Sequence, residues 1–228
     1  MSERRERELE QPGRFRDGAQ TAAPLAVAVG VFGVTFGVLA RDAGLGSMAS
    51  IVFSAVTFAG SAQFAAAGVL SAGGTLAAAI VAALLLNARY LPIGLSVAPA
   101  LTGSWLRRLV KSQLVVDESW TIGHVGGGRY DGRRLVGAGL TLWSAWVVGT
   151  TAGAFGGEAL GDPGRLGLDA AFPALFLALL VGQVENRRGL SAAFAGALIA
   201  LVLVPLVPPG VPIIAASIAC LIGLRGRS

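Results

Sequence analysis

Three short polar segments interrupt otherwise apolar stretches of the chain, and their side chains are the ones able to bind a polar ligand. In the first, Gly60 and Ser61 precede the amide of Gln63. Glycine and serine allow a helix to break, and a broken helix frees backbone N–H and C=O groups that can bind a carboxylate and an ammonium group. Small and amide residues also pack helices together. The segment therefore predicts either a substrate site or a helix contact.

The second segment combines Asn87, Arg89, Tyr90 and Pro92. Pro92 removes one helical hydrogen bond, and Arg89 adds a positive charge about one turn earlier. Arg89 can pair with the carboxylate of a substrate, with help from the Asn87 amide, or with an acidic side chain. Near a membrane surface it would instead extend its guanidinium group to water.

The third segment holds the adjacent carboxylates Asp117 and Glu118 among apolar residues. Burial raises the pKa of a carboxyl group, so this pair could carry a coupling proton. Alternatively, the pair is solvated and balances the basic residues Arg107, Arg108 and Lys111.

Other reactive groups are scarce. The chain has one histidine, His124, and one cysteine, Cys220, so it lacks the spacing of a metal site and cannot form an internal disulfide. It also lacks the glycine-rich loop, ending in lysine and serine or threonine, that cradles a nucleotide phosphate. The sequence predicts no cofactor, no metal and no enzymatic activity.

The composition identifies the class of protein that must position these residues. Of 228 residues, 54% are hydrophobic and 14% are charged, whereas a typical soluble domain has about 25% charged residues. The sequence therefore predicts an all-α integral membrane protein. Its net charge of +5 lies in the tail and short loops, where basic residues orient a chain in the bilayer, so no nucleic-acid partner is expected.

About 20 apolar residues form one membrane crossing. The sequence predicts about seven, some of them broken, in a single transmembrane domain, 18–228, that follows a charged tail, 1–17. The predicted crossings are 18–40, two within 43–101 with a hairpin at 71–74, 135–157, 166–184, and two short ones within 189–224 separated by prolines.

Lysine and arginine counts place the basic loop 102–134 and the C-terminus in the cytoplasm. Seven alternating crossings then put the arginine-rich tail outside, against the same rule. Either the glutamates of the tail soften the rule, or residues 75–101 form two half-helices.

A glycine pattern occurs twice. Gly-x-Thr-x-Gly stands at 33–37 and again at 149–153, each followed by an acidic residue at the same distance, Asp42 or Glu158. Glycines four residues apart allow close helix contact. Because the copies lie in the first and the fourth predicted crossings, which run in opposite directions, the pattern predicts a weak inverted repeat.

At these residues the chain resembles the AzlC family, in order and spacing, over about 18–224. The similar segments are FAGSAQF at 58–64, NARY at 87–90, DES at 117–119, WSAWVVGT at 143–150 and DAAFPALF at 169–176. Many members of this family have Asp and His where this chain has Asn87 and Tyr90. That departure shifts any proton role toward Asp117 and Glu118.

The resemblance implies the large subunit of a bipartite exporter of branched-chain amino acids in the bacterial cytoplasmic membrane. It implies a small hydrophobic partner of the AzlD type and a proton or membrane-potential gradient as the energy source. The break at Gly60–Gln63 then becomes the main substrate hypothesis: backbone N–H groups bind the carboxylate, and carbonyls or the Gln63 oxygen bind the ammonium group. Phe58, Phe64 and Phe176 would enclose the aliphatic side chain.

Two alternatives stay open at this point. One is a transporter that imports, or that exports another small amphipathic metabolite. The other is a membrane-embedded protein without a transport role.

Overall fold

The computed structural model describes residues 14–160, 177, 180–181, 184, 187–207 and 211–220. Within these ranges every regular element is a helix, and an isolated antiparallel bridge joins His124 to Tyr130. The predicted all-α class is confirmed. The charged residues 1–13, most of the predicted crossing 166–184, and the end of the chain beyond 220 lie outside the described residues.

Two long helices, α1 (Phe15–Asp42) and α8 (Gly132–Leu160), form the centre of the fold. Both are long and apolar enough to cross a membrane. An aspartate caps the first turn of each: Asp17, the third residue of α1, accepts the Arg14 backbone N–H at 2.9 Å, and Asp131, just before α8, accepts the Arg134 backbone N–H at 2.8 Å.

The two long helices run parallel. Near their first residues, Gly18 lies against the backbone of Arg134, and further along Gly37 lies against the backbone of Thr150. The glycines were expected to allow close helix contact, and the structure shows that the two glycine-bearing helices contact each other. The prediction of an inverted relation between the two glycine patterns is wrong, because inverted copies would run antiparallel.

The segment predicted as the second crossing is instead a hairpin of two short helices, α2 (Ser47–Thr57) and α3 (Gly60–Ser71). Helix α2 starts at the far end of α8, where the Ser47 hydroxyl donates to the Ala154 carbonyl at 2.8 Å. It ends near the middle of α8, where the Trp143 indole N–H donates to the Ala55 carbonyl at 2.9 Å. Helix α2 therefore reaches only about halfway along α8 before the chain turns back.

Helix α3 then returns toward the end from which α2 came. The Gln63 amide donates to Ser54 at 3.1 Å, although a continuous helix would separate these residues by about 13 Å along its axis. Charge-free length cannot distinguish one crossing from such a re-entrant hairpin, which is why the count of seven was not confirmed.

The next two helices, α4 (Leu76–Asn87) and α5 (Tyr90–Val97), meet at a bend of 45° and together are long and apolar enough for one broken crossing. Helix α4 pairs antiparallel with α3, since Ala79 and Ala82 pack on Ala66 and Val69. Helix α5 continues to the other end of the molecule, where Val97 packs on Leu135 at the start of α8. Residues 75–101 thus form two helices, as one of the alternatives proposed.

Up to residue 160 the described helices therefore supply at most three crossings by length and composition, where four were predicted. The start of α1, the connection 98–131 and the start of α8 share one end of the molecule. Arg14 and Arg16 accordingly lie at the same end as Arg133 and Arg134. For Arg14 and Arg16 the conflict with the positive-inside rule therefore does not arise.

The connection holds two short helices, α6 (Trp105–Ser112) and α7 (Asp117–Gly123). Beyond the long helices, α9 (Arg187–Leu203) and α10 (Val211–Ser217) are separated at the proline-rich segment, as predicted, and a short 3₁₀ turn, Ile218–Cys220, follows. Helix α10 contacts both α9 and α4.

Candidate functional site

The hairpin turns at Phe58 and Ala59. Phe58 has φ 39° and ψ 54°, and it is the one non-glycine residue with positive φ in the part of the chain that the structure describes. This left-handed conformation costs about 1–2 kcal/mol for a residue with a side chain. Burial of the Phe58 ring beside Trp146 and Leu142 helps to offset that cost.

Gln63 holds the turn in place. Its amide oxygen accepts hydrogen bonds from the Ala59 backbone N–H at 3.2 Å and from the Trp146 indole N–H at 3.1 Å, and its nitrogen donates to Ser54. Ser54 in turn shares a 2.8 Å hydrogen bond with Thr150. The Gln63 side chain is 0% exposed. Its oxygen and its nitrogen both have protein partners, and the residue does not line the cavity described below.

Arg89 brings the three polar segments together. From the bend between α4 and α5, its Nη2 lies 2.9 Å from Oδ2 of Asp117 and donates to the Ser61 hydroxyl at 3.0 Å. Its guanidinium group lies 5.2 Å from the centre of the Tyr90 ring. Of the two sequence-based pairings, the described structure contains the one with an acidic side chain.

These groups form the polar part of a cavity of about 210 Å³. Of the predicted site residues, Gly60, Ser61, Arg89, Asp117 and Glu118 line it. The rest of the wall is apolar apart from Tyr90: Leu25, Ala28, Val29, Phe32, Phe58, Phe64, Val116, Leu142 and Trp146.

Asn87 lies outside this wall, at the end of α4, and its buried side-chain oxygen has no hydrogen-bond partner among the described residues. Phe58 and Phe64 do line the cavity as expected. The third predicted aromatic residue, Phe176, lies outside the described residues.

An aromatic cluster supports the apolar wall. Phe64 meets Trp146 edge to face at 5.9 Å, and Phe36 stacks on Trp146 at 5.8 Å between ring centres. Gly60 lies directly beneath the same indole, where an added Cβ would approach its Cη2 to 3.2 Å. Gly60 is therefore needed for the contact of α3 with Trp146, which helps to fix the first turn of α3 at the cavity.

Glu118 lies in α7, outside the membrane-spanning helices. Burial raises the pKa of the Glu118 carboxyl above its ordinary value, and the charge of Asp117 raises it further. The carboxyl can therefore hold a proton at a higher pH than an exposed glutamate. No cluster of three or more metal-ligating side chains occurs in the described parts of the chain.

Sequence reasoning did not identify Ser54, Thr150 and Trp146 as parts of the site. Serine and threonine are common in membrane helices, and Thr150 stood out only as the last residue of the family-like segment 143–150. Trp146 stood in a family-like segment but carried no expected role. Its indole N–H supplies the bond that anchors Gln63.

Comparison with known proteins extends the picture. A model of the AzlC family, described as AzlC protein, matches residues 24–160, a segment that contains the whole cavity wall. The chain belongs to the AzlC family. The resemblance proposed from the short segments is confirmed.

Several relatives of this AzlC-family chain are named as membrane proteins. An uncharacterized membrane protein of Archaeoglobus fulgidus is 31% identical over 92% of the chain and 94% of its own length. The inner membrane protein YgaZ of Escherichia coli K12 is 28% identical over 81% of the chain and 80% of its own length. No solved structure matches the chain.

The branched-chain amino acid transport protein AzlC of Bacillus subtilis 168 is 25% identical over 80% of the chain and 72% of its own length. Together with the long apolar helices α1 and α8, these relatives identify the chain as a membrane protein.

Proposed function

We propose that this AzlC-family protein exports branched-chain amino acids (valine, leucine and isoleucine, with methionine as a further candidate) across the bacterial cytoplasmic membrane. In this proposal it acts with a small hydrophobic subunit of the AzlD type. One observation carries the proposal: the ion pair of Arg89 and Asp117 stands at the polar part of an otherwise mostly apolar cavity. The transport role named for the Bacillus subtilis relative supports it.

A zwitterionic amino acid carries the same two charges as this ion pair. The substrate carboxylate would replace Asp117 on Arg89, and the freed Asp117 would accept the ammonium group. Backbone N–H groups in the first turn of α3, at Gly60 and Ser61, lack acceptors within their helix and can add to carboxylate binding.

The apolar wall would receive the aliphatic side chain. A cavity of roughly 150 Å³ can hold a benzene molecule, so about 210 Å³ is the right size for a small amino acid. An apolar pocket separates substrates that differ by one methylene by only about 1–3 kcal/mol. We therefore expect mixed specificity among valine, leucine and isoleucine.

Asp117 and Glu118 are our candidates for the coupling proton. When the substrate occupies Arg89, Asp117 loses its salt-bridge partner, and a proton on Glu118 reduces the repulsion between the two carboxyls. The raised pKa of Glu118 supports this assignment. Either the proton gradient or the membrane potential would supply the energy.

The test is an efflux measurement in cells loaded with a branched-chain dipeptide, which peptidases convert to free amino acids. Three strains carry this gene with its small neighbour, this gene alone, or neither gene. We expect lower internal and higher external valine, leucine and isoleucine only when both genes are present. Equal levels in all three strains would remove the branched-chain assignment.

Arg89→Gln is the decisive variant. A hydrogen bond to a charged group contributes about 1.5–3 kcal/mol, so efflux should fall roughly tenfold or more. The matched control is Arg129→Gln, since Arg129 is exposed and stands outside the cavity. Equal efflux by the two variants, at equal abundance in the membrane, would contradict the assigned role of Arg89.

Glu118→Gln and Asp117→Asn test the coupling proton in the same cells at several external pH values. Removing the titrating carboxyl should make efflux insensitive to the imposed pH gradient. Asp42→Asn, an exposed carboxyl at the opposite end of α1, should retain the wild-type response. If both cavity variants still respond to the gradient, the pair is structural.

A further inference from the structure

Helix α6 has a sharply divided surface. Trp105, Leu106, Leu109 and Val110 share one side of the helix, and Arg107, Arg108 and Lys111 share the other. None of its residues is buried, and Trp105 is 77% exposed. A short basic amphipathic helix with an exposed tryptophan is the type that lies in the headgroup region of a bilayer.

The position of α6 agrees with that chemistry. It follows directly on α5 and lies at the end of the molecule that also holds Arg133 and Arg134. Lys111 donates to the Thr102 carbonyl at 2.6 Å, which ties α6 to the end of the α5 crossing. Arg107 and Arg108 form no ion pair with any described residue, so their charges are free for a ligand.

A groove of about 470 Å³ separates α6 from α5. Val97 and Leu101 line one side of the groove, and Trp105 and Leu109 line the other side. Arg108 lines the same groove and also an adjoining open depression of about 520 Å³. The apolar groove could hold an acyl chain, and the cation beside it could bind a phosphate.

We propose that this groove binds one anionic phospholipid. An acyl chain lies between α5 and α6 against the apolar walls, and the phosphate lies at Arg108, with Arg107 on the next position of the helix adding positive charge. The groove adjoins the substrate cavity at Tyr90, which lines both, but the lipid contacts named here involve no other cavity residue, and lipid binding is measured independently of export.

The first experiment measures lipid binding to the purified full-length chain by native mass spectrometry. Titration with phosphatidylglycerol is compared with titration with phosphatidylcholine of the same acyl chains. A basic residue near the surface strengthens binding of an anionic lipid about fivefold, so phosphatidylglycerol should bind at least fivefold more tightly. Equal binding of the two lipids would overturn the proposal.

Two variants and a control locate the site. Arg108→Gln should lower phosphatidylglycerol affinity about fivefold, whereas Arg129→Gln, an exposed arginine outside the groove, should leave it unchanged. Gly94→Leu fills the groove: Gly94 lines it, and a Cβ there meets no atom within 4 Å, so the helix tolerates the side chain. This variant should also lose the bound lipid, and retention of the lipid by both groove variants would refute the assignment.

Discussion

Gln63 and Arg89 are both polar residues in apolar surroundings, yet their environments differ. The oxygen and nitrogen of the Gln63 amide bond to Ala59, Trp146 and Ser54. Arg89 faces the cavity and bonds to Ser61 and Asp117 across it. We therefore infer that Gln63 fixes the turn between α2 and α3, and that Arg89 is the residue available to a substrate.

Gln63→Ala tests this difference. It leaves the Ala59 and Trp146 N–H groups buried without an acceptor, at a cost of about 1–3 kcal/mol each. Thermal unfolding of the purified protein should therefore shift down by several degrees, and maximal efflux should fall as well. The control is Gln20→Ala, an exposed amide on α1.

A different result would return Gln63 to the substrate site. In that case the midpoint of unfolding would stay at the wild-type value while the substrate concentration needed for half-maximal efflux rose. Loss of stability together with loss of maximal rate supports the positioning role.

At the residue scale, the sequence could identify the polar segments but not their meeting point. Ser61 and Asp117 each lie 28 positions from Arg89 along the chain, and no local pattern says that the three touch. Their contact depends on the reversal at Phe58, two residues before the glycine that was expected to break the helix. A phenylalanine at positive φ is not predictable from propensity, because it depends on the tertiary burial of its ring and on the Gln63 hydrogen bond to Ala59.

At the scale of elements, the contact between α1 and α8 rests on glycines whose missing side chains let the two backbones touch. A Cβ on Gly153 would overlap the backbone of Val34, and one on Gly33 would lie 2.6 Å from the Trp146 carbonyl oxygen. Such contacts bring many atoms into van der Waals range, which is the main force between helices in a bilayer.

Gly153→Ala should therefore separate α1 from α8 and destabilise the protein by about 1–3 kcal/mol. Gly156→Ala is the matched control on the same helix, because its Cβ would meet nothing within 4 Å. That change should be neutral or stabilise the helix by up to about 1 kcal/mol. Thermal unfolding in detergent measures both, and equal midpoints would show that this glycine contact does not hold the pair together.

The glycine pattern predicted close helix contact, but it could not predict which helices touch or that they run parallel. Small residues four positions apart allow close contact between two helices whether the helices run parallel or antiparallel. Direction depends on how many times the intervening chain crosses, and an apolar run without charges has the same composition whether it crosses or turns back.

At the scale of the whole molecule, three crossings place both basic regions at one end. From the positive-inside rule we propose that the start of α1 and the connection before α8 face the cytoplasm. This agrees with the sequence-based location of the basic loop, and it puts the start of α1 on the same side, which the sequence had left open.

Cysteine labelling in intact cells tests the arrangement. In a background where Cys220 is replaced by serine, Arg16→Cys and Arg129→Cys should react with a membrane-impermeant maleimide only after the cells are opened. Asp42→Cys, at the opposite end of α1, should react in intact cells. Opposite accessibility of the first two positions would contradict the parallel arrangement of α1 and α8.

Backbones in direct contact along much of their length leave α1 and α8 no space to slide or rotate past each other. The two helices therefore act as one rigid unit, and Phe32, Leu142 and Trp146 of this unit form one side of the cavity wall. The other walls belong to short elements: the α2–α3 turn, the α4–α5 bend and the first turn of α7. In the proposed transport cycle, we expect these short elements to tilt against the α1–α8 pair, so that the cavity opens to one side of the membrane and then to the other. The ion pair of Arg89 and Asp117 would then break and re-form once for each substrate molecule transported.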